Sequence, residues 1–173
     1  MNARFDEMTD ISVFEKLMRL NYLGPVYLTH EALPHLKKAR GQIVCVSSVA
    51  GLTGVPLRTA YSASKHAVFG LFESLRIELA EFGVSVTMIA PDFVQSEIHV
   101  RAYGPDGKPV GDSTIAERKA MSAPECAELT VRAMERRQRL MITSLRGKLG
   151  RFARLVMPGM IDRVAYRAIR RGV

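Results

Sequence analysis

The sequence has no tryptophan, two cysteines and four histidines, and no apolar run near the roughly 18 residues that cross a bilayer. Each shortage excludes something. Cys45 and Cys126 are too few for a disulfide scaffold and read as small buried apolar residues in a reducing compartment, which points to the cytoplasm. His30, His35, His66 and His99 have neither the spacing nor the cysteine or carboxylate partners of a metal site. His30 and His35 suit a helix end, and His66 a helix surface. The chain opens on Asp6, Glu7 and Asp10 rather than a basic region and an apolar run, so no secretory signal is expected. Acidic residues are scarce in one region only. Residues 1–131 hold 13 Lys+Arg and 15 Asp+Glu, whereas residues 132–173 hold 12 and 2, so the net charge of +8 resides in the C-terminal tail.

What is present is a 173-residue chain, 47% hydrophobic, long enough for a single core. Residues 11–38 read as one long helix, with Ile11, Phe14, Leu17, Met18, Tyr22 and Val26 on an apolar face and a bend at Gly24-Pro25. Residues 42–47 are a β-branched apolar run, the pattern of a buried parallel strand. A loop at 51–56 precedes a helix over 59–81, and Val84–Ile89 is the next strand. Ser122-Ala-Pro-Glu125 has capping-box spacing and opens a helix to about Arg137. Leu140–Thr143 is a last short strand. Strand and helix alternate, which predicts an α/β fold with about three parallel strands. Residues 97–121, with Gly104, Pro105, Gly107, Pro109 and Gly111, form a long polar stretch suited to a lid.

The chemistry lies in Tyr61-Ser-Ala-Ser-Lys65, thirteen residues beyond Ser48 at the end of the first strand. Tyr61 and Lys65, at i and i+4, share one face of a helix. An ammonium beside a phenol favours the phenolate and brings proton exchange towards neutral pH. Such a phenol can give a proton to a carbonyl being reduced or take one from an alcohol being oxidised. Ser48, set by the preceding strand, can hydrogen-bond the same oxygen.

These residues, with Asn21 in Leu20-Asn-Tyr-Leu-Gly24 and the turn Pro91-Asp-Phe-Val-Gln-Ser96, resemble the short-chain dehydrogenase/reductase family from about Phe5 to the C-terminus. The resemblance implies a catalytic set of Asn21, Ser48, Tyr61 and Lys65. Tyr61 would be the acid/base, Ser48 would orient the substrate oxygen, and Lys65 would tune Tyr61 and hold the nicotinamide ribose. Asn21 would bend its helix and hold a water leading from the lysine to solvent. Cofactor contacts would come from Tyr61, Lys65, Pro91, Val94 and Ser96, the nicotinamide amide meeting the Val94 backbone and the Ser96 hydroxyl. The implied activity is NAD(P)-dependent interconversion of a carbonyl and a secondary alcohol. The motifs do not distinguish NAD from NADP and are silent on the substrate.

The sequence departs from the family in three ways. Ser96 stands for a threonine and keeps the hydroxyl. Asp92 stands for a glycine; it either faces solvent, the reading favoured for a turn aspartate, or points inward against the cofactor's charge. The family's glycine-rich phosphate loop and its Asn-Asn-Ala-Gly segment are not among the 173 residues. Met1 therefore resembles an internal methionine, with about 90 residues, some three βαβ units, to be sought upstream. The chain is expected to be the C-terminal catalytic part of a Rossmann-like fold over residues 1–144, poorly active alone. A rival reading is a non-enzymatic remnant that binds a partner protein or a membrane.

Residues 145–173 form a basic tail of two short amphipathic helices broken at Pro158-Gly159. Its apolar stripe is expected to pack on the protein, with its arginines in water. The alternative is peripheral contact with an anionic membrane, suited to a hydrophobic substrate. No aromatic platform or motif supports nucleic-acid binding. The helices over 11–38 and 59–81 resemble the family's dimer-forming pair, so a homodimer is expected.

Overall fold

The computed structural model describes residues 1–98, 100–111 and 120–170, with side chains to 167. His99, residues 112–119 of the expected lid and the last arginine of the tail lie outside the described residues. Helices α1 (Ser12–Met18) and α2 (Gly24–Ala39) are followed by β1 (Gln42–Val46), α3 (Thr59–Glu78), β2 (Ser85–Ala90), α4 (Ala123–Glu135), β3 (Leu140–Ile142), α5 (Leu145–Val156) and α6 (Pro158–Arg170). The three strands form one parallel sheet in the order β1-β2-β3, with Val44 opposite Thr87 and Ile89 opposite Met141. The α/β class and the strand count agree with the sequence pattern.

The continuous apolar run of β2 follows from its central place. From Val86 to Ala90 the strand is buried, because helices cover both faces. Val86, Met88 and Ala90 meet Val68, Phe69 and Phe72 of α3 on one side. Ile89 meets Ala133 and Leu129 of α4 on the other. Thr87, fully buried, is satisfied by the Gln42 side chain at 3.0 Å. Among the described residues β1 pairs on one side only, and Val46 at its end is 58% exposed.

Several local readings need correction. The expected helix over 11–38 is not one uninterrupted α-helix. A π-helical segment at Arg19–Leu23 joins α1 to α2, and Pro25 lies in the first turn of α2, where its missing N–H costs nothing. Asn21 is at the centre of that segment. α2 ends on Arg40 in the left-handed conformation (φ 49°), and the Gly41 amide returns to the Leu36 carbonyl at 2.9 Å. His30 and His35 lie within α2 rather than at its end. α3 stops at Glu78, and a 3₁₀ turn over Ala80–Phe82 carries the chain to Gly83 (φ 70°). The expected capping box is present: the Ser122 hydroxyl accepts from the Glu125 amide at 3.3 Å and Glu125 returns to the Ser122 amide.

The tail is two helices, as the pattern predicts, but its apolar stripe does not pack on the protein. Leu145, Leu149, Phe152, Leu155, Val164 and Tyr166 are all at least 59% exposed. The inner side of α5 does meet the body, where a Cβ on Gly147 would stand 2.9 Å from the Ile142 side chain and Arg154 donates to the Thr53 hydroxyl at 2.9 Å.

Candidate active site

Ser48 lies two residues past the end of β1 and caps a 3₁₀ turn over Val49–Gly51. Its hydroxyl accepts from the Ala50 amide at 3.2 Å and donates to the Pro91 carbonyl at 3.5 Å. The turn sits hard against α3. A Cβ on Gly51 would lie 2.7 Å from the Lys65 carbonyl and 2.9 Å from the Phe69 ring, so only glycine lets Ser48 approach the helix that bears Tyr61 and Lys65.

Lys65 reaches across to donate to the Val46 carbonyl at 3.3 Å, and its ammonium lies 5.8 Å from the centre of the Tyr61 ring. Burial lowers its pKa from the ordinary 10.5. Asn21 reaches the site from behind. Its amide donates to the Ser64 hydroxyl at 3.0 Å, which donates to the Tyr61 carbonyl at 2.8 Å. Ser64 is fully buried, so this chain fixes the π segment against the first turn of α3. Asn21 therefore meets Ser64, not the lysine directly.

Ser48, Tyr61, Lys65, Pro91, Val94 and Ser96 all line one cavity of about 580 Å³. Val94 forms a parallel bridge to Met121, in which the Met121 amide donates to the Phe93 carbonyl (3.0 Å) and its carbonyl accepts from the Gln95 amide (2.9 Å). By strand alternation, Val94's own amide and carbonyl point away from this bridge. That is a donor–acceptor pair of the kind a carboxamide needs.

Asp92 neither faces solvent, as the sequence reading favoured, nor stands as a bare charge in the cavity. Arg146 of α5 grips it through Nη2 at 2.8 Å from Oδ1 and Nε at 3.2 Å from Oδ2. The Ser144 hydroxyl donates to Oδ2 at 2.6 Å, and Thr143 accepts from the Asp92 amide at 2.9 Å. The carboxylate is neutralised by the tail's first turn.

The sequence pattern missed three cavity residues. Cys126 lines the wall rather than being buried. Arg146 joins the site across 54 positions, a separation no local spacing reveals. Arg58 also lines the cavity, and its place one turn before Tyr61 was a usable signal.

A three-stranded parallel sheet with helices on both faces is a Rossmann-like arrangement, and Ser48, Tyr61 and Lys65 line one cavity beside its strand ends. A sequence model described as short chain dehydrogenase matches residues 1–104. The chain belongs to that family. It is similar to Dehydrogenase/reductase SDR family protein 7-like from Dictyostelium discoideum, 34% identical over 91% of this chain and 48% of the relative. Dehydrogenase/reductase SDR family member 7B from Mus musculus is also 34% identical, over 90% and 49%. The chain spans about half the length of these curated relatives. A short chain dehydrogenase from Burkholderia cenocepacia J2315, solved in complex with NADP, shares the fold with a TM-score of 0.78 at 20% identity, covering 95% of this chain and 63% of that one. A short-chain dehydrogenase from Sphingobium yanoikuyae, solved in complex with NADPH, gives 0.68 at 26% identity, covering 82% and 52%.

Proposed function

We propose that the chain carries the proton-transfer part of an NAD(P)-dependent oxidoreductase that interconverts a carbonyl and a secondary alcohol. The observation that carries this reading is the convergence of Ser48, Tyr61 and Lys65 on one cavity. The bound nicotinamide would supply or accept the hydride. The Tyr61 phenol gives its proton to the carbonyl oxygen during reduction and takes it back during oxidation. Ser48 donates a hydrogen bond to the same oxygen, for which its weak 3.5 Å bond to Pro91 is readily given up. The Lys65 ammonium stands beside the phenol, 5.8 Å from the centre of the Tyr61 ring. Asn21, through Ser64, holds the turn that presents Tyr61. The residues present fit the nicotinamide end of the cofactor: Val94 offers backbone groups, Ser96 a hydroxyl, and Lys65 an ammonium for the ribose.

Residues 1–144 form the catalytic part and 145–173 a basic appendage. Because the 173 residues hold no glycine-rich phosphate loop, the chain alone binds dinucleotide weakly and turns over little. Exposed Tyr27 and Leu28 on α2 and Ile77 on α3 support a homodimer through these helices. The bare apolar stripe of α5 and α6, set among arginines, supports peripheral contact with an anionic membrane. Among the described residues no helix is long and apolar enough to cross a membrane. Free thiols at Cys45 and Cys126 support a reducing, cytoplasmic setting.

The test is carbonyl reduction with NADH and NADPH by the polypeptide as its source produces it, beside Tyr61→Phe. Carbonyl-dependent cofactor oxidation lost by about 100-fold or more in the variant supports the reading. No turnover in either protein favours the non-enzymatic remnant, for which the open β1 edge and the tail would be the binding surfaces.

A further inference from the structure

Four cationic side chains line the cavity, Arg58, Lys65, Arg146 and Arg151, against a single described carboxylate, Asp92. Two of the four are occupied. Arg146 is committed to Asp92, and Lys65 to the Val46 carbonyl beside Tyr61. The guanidinium groups of Arg58 and Arg151 make no hydrogen bond or ion pair with any described residue.

Arg58 is the informative one. It immediately precedes α3, is half-buried, and holds its guanidinium 5.9 Å from the centre of the Phe93 ring; Arg146 lies 5.2 Å from the same ring. One guanidinium beside Phe93 is thus neutralised and the other is not. Arg58 is also close enough to Tyr61 for the two to interact electrostatically. A partly desolvated cation without a counter-charge is costly. The cavity's remaining lining is mostly apolar, with Val46, Val49, Leu52, Val55 and Ile98 contributing.

We propose that Arg58, assisted by Arg151 at the rim, binds an anionic group of the substrate, a carboxylate or a phosphate, carried a few bonds from the carbonyl that Ser48 and Tyr61 engage. The proposal rests on the oxidoreductase reading and names its substrate class. A guanidinium matches both anions through paired N–H donors, and the Phe93 ring 5.9 Å away gives it a cation–π neighbour. The short step along the chain from Arg58 to Tyr61 sets the scale, since side chains one helical turn apart stand about 5–6 Å apart. The apolar walls take the rest of the molecule.

The test uses oxo-carboxylates with two to four carbons between carbonyl and acid, the corresponding oxoalkyl phosphates, and the neutral methyl esters of the acids. Binding is followed by calorimetry, and reduction by cofactor absorbance, on the polypeptide as its source produces it. The unmodified protein is expected to prefer a charged member over its ester by about 10- to 100-fold. R58Q should erase that preference, read as the ratio of charged member to ester within each protein. R58K should retain part of it, and R151Q should weaken it only a few-fold. Whichever anion shows the larger preference identifies the natural group. Equal handling of acid, phosphate and ester by the unmodified protein overturns the proposal, and needs no variant to fold. A preference that survives R58Q also overturns it. If neutral carbonyls are still reduced in a Tyr61-dependent way, the oxidoreductase reading stands without the anion site. Arg58-dependent anion binding with no turnover leaves the reverse.

Discussion

Arg146 and Asp92, 54 positions apart, form a two-pronged ion pair at 2.8 and 3.2 Å that ties the start of the basic tail to the turn beside the cavity. The carboxylate is only 12% exposed, whereas the arginine is 68% exposed. The acid's place in a turn the family closes with glycine is thereby made harmless. Arg146→Met should leave a largely buried carboxylate with only its Ser144 hydroxyl bond. The expected cost is about 1–2 kcal/mol, a fall of roughly 2–8 °C in Tm. A double-mutant cycle with Asp92→Asn, read by thermal unfolding, should recover most of that loss. Additive losses would show that the two residues do not act as a pair.

Gly51 makes the second prediction. A methyl group there would stand 2.7 Å from the Lys65 carbonyl and 2.9 Å from the Phe69 ring. Gly51→Ala must push the Val49–Gly51 turn, and Ser48 with it, away from α3. Destabilisation of about 1–3 kcal/mol is expected by urea unfolding. Activity should fall further than stability explains, since a 1 Å displacement of a reacting group can cost about 100-fold.

Asn21 tests the role of the π segment. Asn21→Ala removes the donor to Ser64 and leaves that buried hydroxyl with only its bond to the Tyr61 carbonyl. A loss of about 1–2 kcal/mol is expected. Hydrogen exchange should rise selectively over residues 19–23 and the first turn of α3. Uniform exchange across the fold would deny the link between Asn21 and Tyr61.

Cys45 gives a pH dependence with a definite sign. Burial raises its thiol from the ordinary 9.0 to about 11, with the Lys65 charge opposing. Between those values the unfolded chain has lost the proton and the folded chain retains it. Stability contributed by this group therefore falls as pH rises through that window, by at most about 2–3 kcal/mol. Lys65 acts in the opposite sense. Its lowered pKa makes the folded state gain stability as pH rises towards its ordinary 10.5. The difference in unfolding midpoint between the native sequence and Cys45→Ala, measured from pH 8 to 10.5, isolates the thiol and should shift against the native sequence as pH increases.

The tail makes a prediction of its own. α5 and α6 expose Leu149, Phe152, Leu155 and Val164 beside Arg151, Arg154 and Arg163. Sedimentation with anionic vesicles should be strong at low salt and weaken at high salt, with little binding to neutral vesicles. Removal of residues 145–173 should abolish it. Since Arg146 leaves with the tail, the thermal loss predicted for Arg146→Met should accompany the truncation.

The sheet, its parallel order and the Ser48, Tyr61 and Lys65 group were legible because each follows from local pattern. Apolar β-branched runs mark strands covered on both faces, and an i, i+4 pair fixes two side chains on one helix. An irregular helix at Asn21 was legible only through the family resemblance, and the π form of Arg19–Leu23 was not legible at all. Its sequence suits an α-helix, and the register is set from outside by the bond of Asn21 to Ser64. The neutralisation of Asp92 was hidden for a related reason, since its partners Thr143, Ser144 and Arg146 arrive through the fold. The tail was read correctly as helices but wrongly as packed. An amphipathic pattern states that an apolar face exists, not what covers it.

The most direct measurement is the rate of carbonyl-dependent NADH or NADPH oxidation by the polypeptide as its source produces it, compared with Tyr61→Phe at matched folding. The account predicts turnover in the first and a loss of about 100-fold or more in the second, with stability nearly unchanged. Turnover that survives the loss of the Tyr61 hydroxyl would contradict it.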